Sequence, residues 1–428
     1  MPTSYCQNPS LVKLPNLLPI AKKVRLVIRD SNKFCPEVFL TTLMKSSITG
    51  KGSFREIATS LNQSLPGMSK QACAKRFSPK STAFLQGVLS SLIEQRLEPV
   101  RKPLLNASIK RVIIEDATSL KMNKKNAENF PAHGNSHGKT AGVKVDLAYD
   151  LMSGKCASLT IEKATEQDKS IGNETITAFQ EGDLIIRDMG YFAVAGFEAI
   201  ESVGGYWLSR LPVNCNASSL DGKSLEKLLK KTAGSTLDIE IKLGDSGQHP
   251  CRLIAIRAEQ KVVEQRRRKR KEKAEKEGRA ACSKGLVRDG WHIMVTSLKS
   301  EEATVSELAL LYSARWAIEL QFRALKKEIN LKNTLKRITN QDHHLALILA
   351  ALIAQQLSMK LWNIYYPILE SKSQMLSLEK LMGNVTQFLL GINTLNQIHD
   401  FDPDLRHIAY EKRVKRSSLI NQAFAPLG

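Results

Sequence analysis

Residues 312–326 read YSARWAIELQFRALK. On a helix of 3.6 residues per turn, Tyr312, Glu319 and Lys326 fall seven apart and stack on one stripe. Arg315, four before Glu319, lies beside that stripe. Ile318, Phe322, Leu325 and Ile329 recur at i, i+4, i+7 and i+11 on the neighbouring face. The spacing predicts a long helix over 306–329. One side faces a core, and the edge next to it carries a carboxylate, two cations and a phenol. A salt-bridged solvent edge is the plain alternative, although such edges usually pair Glu with Lys and lack an aromatic.

Towards the N-terminus the texture is that of strands. Val112, Ile113 and Ile114 predict a short buried strand that Glu115 and Asp116 end abruptly. A second apolar strand, 183–188, also finishes on an acid, Asp188. Stretches 143–148 and 156–161, joined by a Gly-containing turn over 152–155, predict a hairpin. A helix over 192–203 and a strand over 206–211 follow. These elements suit a mixed central sheet with covering helices. An Asp inside a buried strand is costly, whereas one at a strand exit can face a cleft. For either Asp taken alone, capping the next helix or turn is the commoner role.

Together the two strand-end aspartates and the helix-borne Glu319 can converge on one cleft. Three carboxylates there repel one another unless divalent cations bind. Hard ions such as Mg²⁺ or Mn²⁺ choose oxygen ligands. Two such ions roughly 4 Å apart clamp the attacking and leaving oxygens of a phosphoryl transfer.

Between the second Asp and the Glu, residues 213–290 read as a β-rich insertion, with short alternating stretches at 237–243 and 251–257. The insertion also carries a basic helical arm with six consecutive cations, Arg266, Arg267, Arg268, Lys269, Arg270 and Lys271. A charge run is usually a solvated face or disordered segment; a phosphate partner would balance this one. A strand over 291–298 returns the chain to the core. In the first hundred residues, a helix over 54–62, a turn at Gly67 and a second helix over 70–76 form a helix-turn-helix pattern. Lys70, Gln71, Lys75 and Arg76 would face outwards for DNA. A plain helical hairpin has the same periodicity. Beyond residue 335 come apolar helices over 345–362, with a break at Pro367, and over 376–390.

The whole chain is basic, with 63 Lys and Arg against 42 Asp and Glu over 428 residues, a net charge of +21. That field points to a polyanion, and double-stranded DNA is the usual one. No membrane association is expected, because the longest apolar run, 345–354, is about half of a spanning helix and the N-terminus lacks signal-peptide order. Seven scattered cysteines without a Cys-x-x-Cys pair argue against a disulfide framework and a zinc ribbon. His133 and His137 are four apart, but with no Cys or acidic partner nearby they read as a polar loop.

Tyr312-x2-Arg315-x3-Glu319-x6-Lys326 resembles the Tyr-Arg-Glu-Lys signature of bacterial insertion-sequence transposases of the DDE type, the insertion-sequence family four group. Glu115-Asp116-Ala117-Thr118-Ser119 and Arg187-Asp188-Met189-Gly190-Tyr191-Phe192 resemble that group's two aspartate blocks. The resemblance covers roughly 111–330. It implies an RNase-H-like α/β core over 106–212 and 291–335, interrupted by the insertion. A helical DNA-binding domain over 1–105 would precede it and a helical C-terminal region over 336–428 would follow.

It also implies that Asp116, Asp188 and Glu319 are catalytic and hold two Mg²⁺ or Mn²⁺ ions, and that Tyr312, Arg315 and Lys326 contact phosphates. Trp291 would stack on an extruded base; a core Trp in a strand is the alternative. The implied activity is cut-and-paste transposition in the bacterial cytoplasm, at the nucleoid. A homodimer on paired terminal inverted repeats, a hairpin intermediate and strand transfer to target DNA are expected. A structure-specific nuclease on the same core and a catalytically silent DNA-binding protein are the competing readings.

Overall fold

A computed structural model describes residues 12–29, 34–95, 97, 101–103, 109–135, 138–244, 249–327, 335, 338–409 and 424–426. Their strands, in chain order, are β1 (Arg101–Pro103), β2 (Arg111–Met122), β3 (Pro131–Asn135), β4 (Gly138–Asp150), β5 (Cys156–Lys163) and β6 (Asp183–Arg187). Then come β7 (Tyr206–Arg210), β8 (Ala217–Ser219), β9 (Thr236–Leu243), β10 (His249–Arg257), β11 (Trp291–Thr296) and β12 (Phe424–Pro426). β1 and β12 pair with each other, and the other ten share one sheet in the order β3-β4-β2-β6-β7-β11-β10-β9-β8, with β5 also on β4. Only β2–β6 and β6–β7 are parallel among these described pairs, so this is a mixed sheet.

The sequence predicts a strand that ends at Asp116, but β2 continues to Met122. The reason is its partner. β4 supplies antiparallel pairing along β2 from Ile113, opposite Asp150, out to Met122, opposite Ala141. On the other side β6 stops at Arg187, opposite Glu115. Asp116 is thus the first residue of β2 past its parallel neighbour, which opens a cleft on that side without ending the strand.

The insertion does not form a sheet of its own. β10 pairs with β11 over six residues, and β9 and β8 extend outwards from it. The boundary expected at 290/291 therefore falls beside hydrogen-bonded strands.

Alternation along the strands divides the interior in two. Val112, Ile114, Leu184, Ile186 and Leu208 lie on one face, under helices Val305–Ala314 and Trp316–Lys327. Ile113, Ile185, Trp207, Ile293 and Val295 lie on the other, with helices Val194–Ser202 and Leu225–Lys231. Each of these aliphatic side chains contributes about 1.5–3 kcal/mol by leaving water.

The helices from the two ends of the chain, read from sequence as separate regions, enter one hydrophobic core. Its centre is the 30-residue helix Gln341–Glu370, packed on Pro36–Thr49 and Pro79–Glu94. By length and composition that helix could cross a membrane, but 94% of its apolar window is buried inside the protein. Pro367 does not break it. So close to the C-terminal end, proline forfeits one backbone hydrogen bond, and tertiary packing holds the rest. The hairpin turn before β5 joins this core through Gly154, whose φ is +75° and whose Cα faces Trp362 so closely that a Cβ would meet the ring at 2.9 Å.

Candidate active site

The first two acids meet through strand register. Glu115 pairs with Arg187 at the end of the parallel β2–β6 ladder. Asp116 and Asp188 are the next residue on each chain, side by side where the ladder stops. Asp116 shares the face of Ile114, towards the helices, because side chains alternate along a strand. Its Oδ1 accepts the Ala117 N–H at 2.8 Å. Burial pushes the Asp116 carboxyl up to about 6; Ala117 and Arg315 oppose the rise, and the nearby Asp188 and Glu319 charges add to it. Asp116 is therefore close enough to feel both of the other acids.

The third acid comes from the helix. Thr304 and Glu307 form a capping box that starts helix Val305–Ala314. A single turn residue, Arg315, whose backbone angles stay right-handed helical, separates it from Trp316–Lys327, so the long helix expected over 306–329 is two helices in near succession. Hydrogen bonds of the i→i−3 kind join them, from the Arg315 and Ile318 N–H to the Tyr312 and Arg315 carbonyls. The second helix wedges between two cores. Ala317, Ile318 and Phe322 enter the sheet's core, while Leu320, Ala324 and Leu325 enter the helical one. Gln321, also buried, accepts from the Gln355 amide at 2.9 Å. Glu319, Arg323 and Lys326 remain on the exposed edge; Ile329 lies outside the described residues.

Arg315 joins helix to sheet. One nitrogen lies 3.2 Å from Asp116 Oδ2 and another 2.8 Å from Glu319 Oε1. Burial works against its charge, but Tyr312, Asp188, Asp116 and Glu319 together hold its pKa above the ordinary value. The Tyr312 hydroxyl is buried without a hydrogen bond of good geometry. Burial raises its pKa, Arg315 and Arg210 lower it, and Asp188 raises it further. Lys326 Nζ donates to Thr118 Oγ1, two residues beyond Asp116 on the same strand.

Arg210 and Thr118 were not singled out from sequence. Arg210 falls inside the strand predicted over 206–211; only the structure ends that strand at Arg210 and sets it parallel to β6.

The donor set fits a hard divalent cation. All three acids offer oxygen, and the cation now between two of them is the Arg315 guanidinium. Among the described residues no three His, Cys, Asp or Glu side chains are gathered as a ready metal cage.

The remaining candidates lie away from this cleft. Trp291 opens β11 at the end of the sheet where Asp188 follows β6, since Met294 on that antiparallel strand is opposite Arg210. Its ring is 5% exposed, packs in the core on the face opposite Asp116, and carries the Arg257 guanidinium 4.3 Å from its centroid. Beside it is a cavity of about 510 Å³ lined by Lys230, Arg257, Arg267, Lys271 and Leu286.

Helix Gln260–Lys276 holds the basic run, and its cations divide by face. Arg266 donates to the Asp289 and Trp291 carbonyls, and Arg270 makes a two-pronged pair with Asp289. Arg267 and Arg268 are exposed, Arg267 reaching the Leu286 carbonyl and Arg268 pairing with Glu272.

At the N-terminal end, Ser53 caps helix Phe54–Asn62 and Ser69 caps Lys70–Ala74. Asn62 staples the turn between them through both backbone groups of Met68. Lys70, Gln71 and Lys75 face solvent, whereas Arg76 lies 4.3 Å from the Phe34 ring centroid. His133 is exposed; His137 lies outside the described residues.

Residues 107–355, well over half of the chain, match the family described as the transposase DDE domain. The chain belongs to that family and is a DDE transposase. It is 26% identical over 346 residues to the transposase for insertion sequence element IS231F of Bacillus thuringiensis subsp. israelensis, covering 75% of this chain and 72% of that one. With the transposase for IS231E of Bacillus thuringiensis subsp. finitimus it shares 27% over 350 residues, with the same coverage of each. Among solved structures, the piggyBac transposase synaptic complex with hairpin DNA covers 87% of this chain and 76% of its own, at a TM-score of 0.44 and 9% identity.

Proposed function

We propose that the protein moves a bacterial insertion sequence by cut-and-paste transposition, with an RNase-H-like core as its catalytic frame. The observation that supports the reading is that Arg315 bridges Asp116 and Glu319, with Asp188 near enough to act on both Asp116 and Arg315. These acids would hold two Mg²⁺ or Mn²⁺ ions, which supply charge neutralisation and polarise the attacking and leaving oxygens of a phosphodiester.

The chain's own side chains orient the DNA. Arg315, Lys326 and Tyr312 line one edge of the cleft and would take the phosphates flanking the scissile bond. Lys70, Gln71 and Lys75, together with Arg267 and Arg268, would hold the terminal inverted repeat at a distance. Arg266 and Arg76 would support those surfaces more than touch DNA. Trp291 would receive an extruded base at the catalytic end of the sheet once Arg257 leaves its ring; the basic cavity beside it supports this.

Water first displaces the 3′-oxygen at the element end, freeing a 3′-hydroxyl. That hydroxyl attacks the opposite strand, giving a hairpin and a double-strand break. Water reopens the hairpin, and the 3′-hydroxyl then attacks target DNA. Each step exchanges one phosphodiester oxygen for another, and no covalent protein–DNA bond forms. Two ends must be held together, so the working form would be a homodimer, acting on DNA in the bacterial cytoplasm.

The test is a strand-resolved cleavage assay with Mg²⁺, on DNA ends flanking the gene and on scrambled controls. End-specific cleavage that disappears in Glu319→Ala, with binding retained, is expected. End-specific binding with no cleavage in Mg²⁺ or Mn²⁺ would replace this reading with a silent DNA-binding protein.

A further inference from the structure

Directly behind the proposed acids, on the other face of the sheet, lies a buried ionic cluster. Glu115 and Arg187, the residues just before Asp116 and Asp188, pair across β2 and β6 with side-chain exposures of 0% and 4%. The Thr175 hydroxyl donates to the second Glu115 oxygen at 2.6 Å and accepts from Arg187 at 3.2 Å. Arg187 also donates to the Gly172 carbonyl at 2.7 Å. Gly172 is required there, because a Cβ would lie 2.8 Å from the Tyr191 ring.

A second tie lies just beyond the acids. Asp146, on β4 opposite Ala117, accepts from the hydroxyl of Tyr191, three residues after Asp188. The two ties bracket both aspartates.

Burying ions is a poor way to gain stability, since desolvation offsets most of the attraction. The far end of the same ladder is tied by another ion pair, Arg111 with Asp183, but the rungs between it and Glu115, 112–114 and 184–186, are aliphatic throughout, so Glu115–Arg187 is the ladder's ionic tie next to the two aspartates. Apolar contacts tolerate small slides and twists between strands. A directional ion pair with fixed hydrogen bonds does not. We infer that Glu115 and Arg187 are positioning residues: their pair sets the relative height of β2 and β6, and through it the spacing of Asp116 and Asp188 as metal ligands. This rests on the reading of those two aspartates given above.

The test compares wild type with the double substitution Glu115→Met/Arg187→Met, which replaces the pair by apolar side chains of similar volume. Its thermal midpoint is expected within a few degrees of wild type, because such replacements are commonly neutral or stabilising. Mn²⁺ binding to the protein without DNA is expected to weaken about 10-fold or more. Cleavage kcat should fall by a similar factor while KM for end DNA is unchanged. If the double variant fails to fold, Glu115→Gln decides by the same Mn²⁺ titration and the same split between kcat and KM.

A folded variant with wild-type Mn²⁺ binding and kcat overturns the proposal. Asp116→Asn, run alongside, separates two failures. Cleavage that survives in Asp116→Asn overturns the site itself and the positioning role with it. Cleavage lost there but intact in the double Met variant overturns the positioning role alone.

Discussion

Arg315 and Asp116 are 199 residues apart in the chain and meet at 3.2 Å across the cleft. The same guanidinium holds Glu319 at 2.8 Å. Arg315 therefore sits between two of the proposed metal ligands and competes with a divalent ion for both. In Arg315→Ala we expect the protein alone to bind Mn²⁺ several-fold more tightly, and to cleave end DNA more slowly because a phosphate contact is gone. Calorimetric titration with Mn²⁺ and single-turnover cleavage measure the two effects. Weaker Mn²⁺ binding would mean that Arg315 organises the acids instead of competing for them.

Glu319 is 46% exposed and adds little to folding. Glu319→Gln should leave the thermal midpoint unchanged and reduce cleavage by at least about 100-fold, as expected when transition-state charge stabilisation worth several kcal/mol is lost. End-DNA affinity in the absence of divalent ions should stay the same. Comparable cleavage by the variant would remove Glu319 from the chemistry.

The basic helix makes opposite predictions for its two faces. Arg268 is 72% exposed, so Arg268→Ala should weaken DNA binding and lower the slope of log affinity against log salt by about 1, with no change in stability. Arg270, paired with the buried Asp289, should behave in reverse. Arg270→Ala is expected to cost about 1–2 kcal/mol of stability and to change the salt slope little. Melting curves and binding isotherms at several salt concentrations resolve the two.

His343 is 2% exposed, with its ring centroid 4.4 Å from that of Phe54 and 4.2 Å from that of Phe77. Burial first, then the neighbouring His344, lowers its pKa to about 3 from an ordinary value near 6.5. The unfolded chain therefore binds the proton more readily than the folded one. The stability this gives is complete above pH 6.5 and drains away as pH falls towards 3, amounting to about 2 kcal/mol by pH 5. His343→Phe should lose less stability between pH 7 and pH 5 than wild type. Equal losses would mean that this ring does not control the docking of the N-terminal helices on Gln341–Glu370.

Much of the candidate site was legible because it rests on local periodicity. The 3.6-residue repeat of 312–326 separated a polar edge from a buried side before any contact was known. Apolar runs located the strands at 112–114 and 184–186. Other features were not legible. Arg266 and Arg270 look like Arg268 in the sequence, and only the carbonyls and carboxylate of 289–291 distinguish them. Pro367 resembles a helix stop until the packing around its last turn is seen. Strand β2 appeared to end at Asp116 because an acid is a local signal, whereas its continuation depends on β4, from Ala117 opposite Asp146 to Met122 opposite Ala141.

The sequence by itself determined which residues could share a face, the strongly basic field, and the acids available for metal chemistry. Side-chain periodicity and charge follow directly from residue order. Tertiary structure decided the rest. Pairing of β10 with β11 made core and insertion one sheet. The helix Gln341–Glu370 drew both ends of the chain into one core. The point at which β6 stops alongside β2 set Asp116 beside Asp188. Each of these depends on hydrogen bonds or apolar contacts between segments far apart in the chain, and a local pattern carries no record of which distant segment will satisfy it.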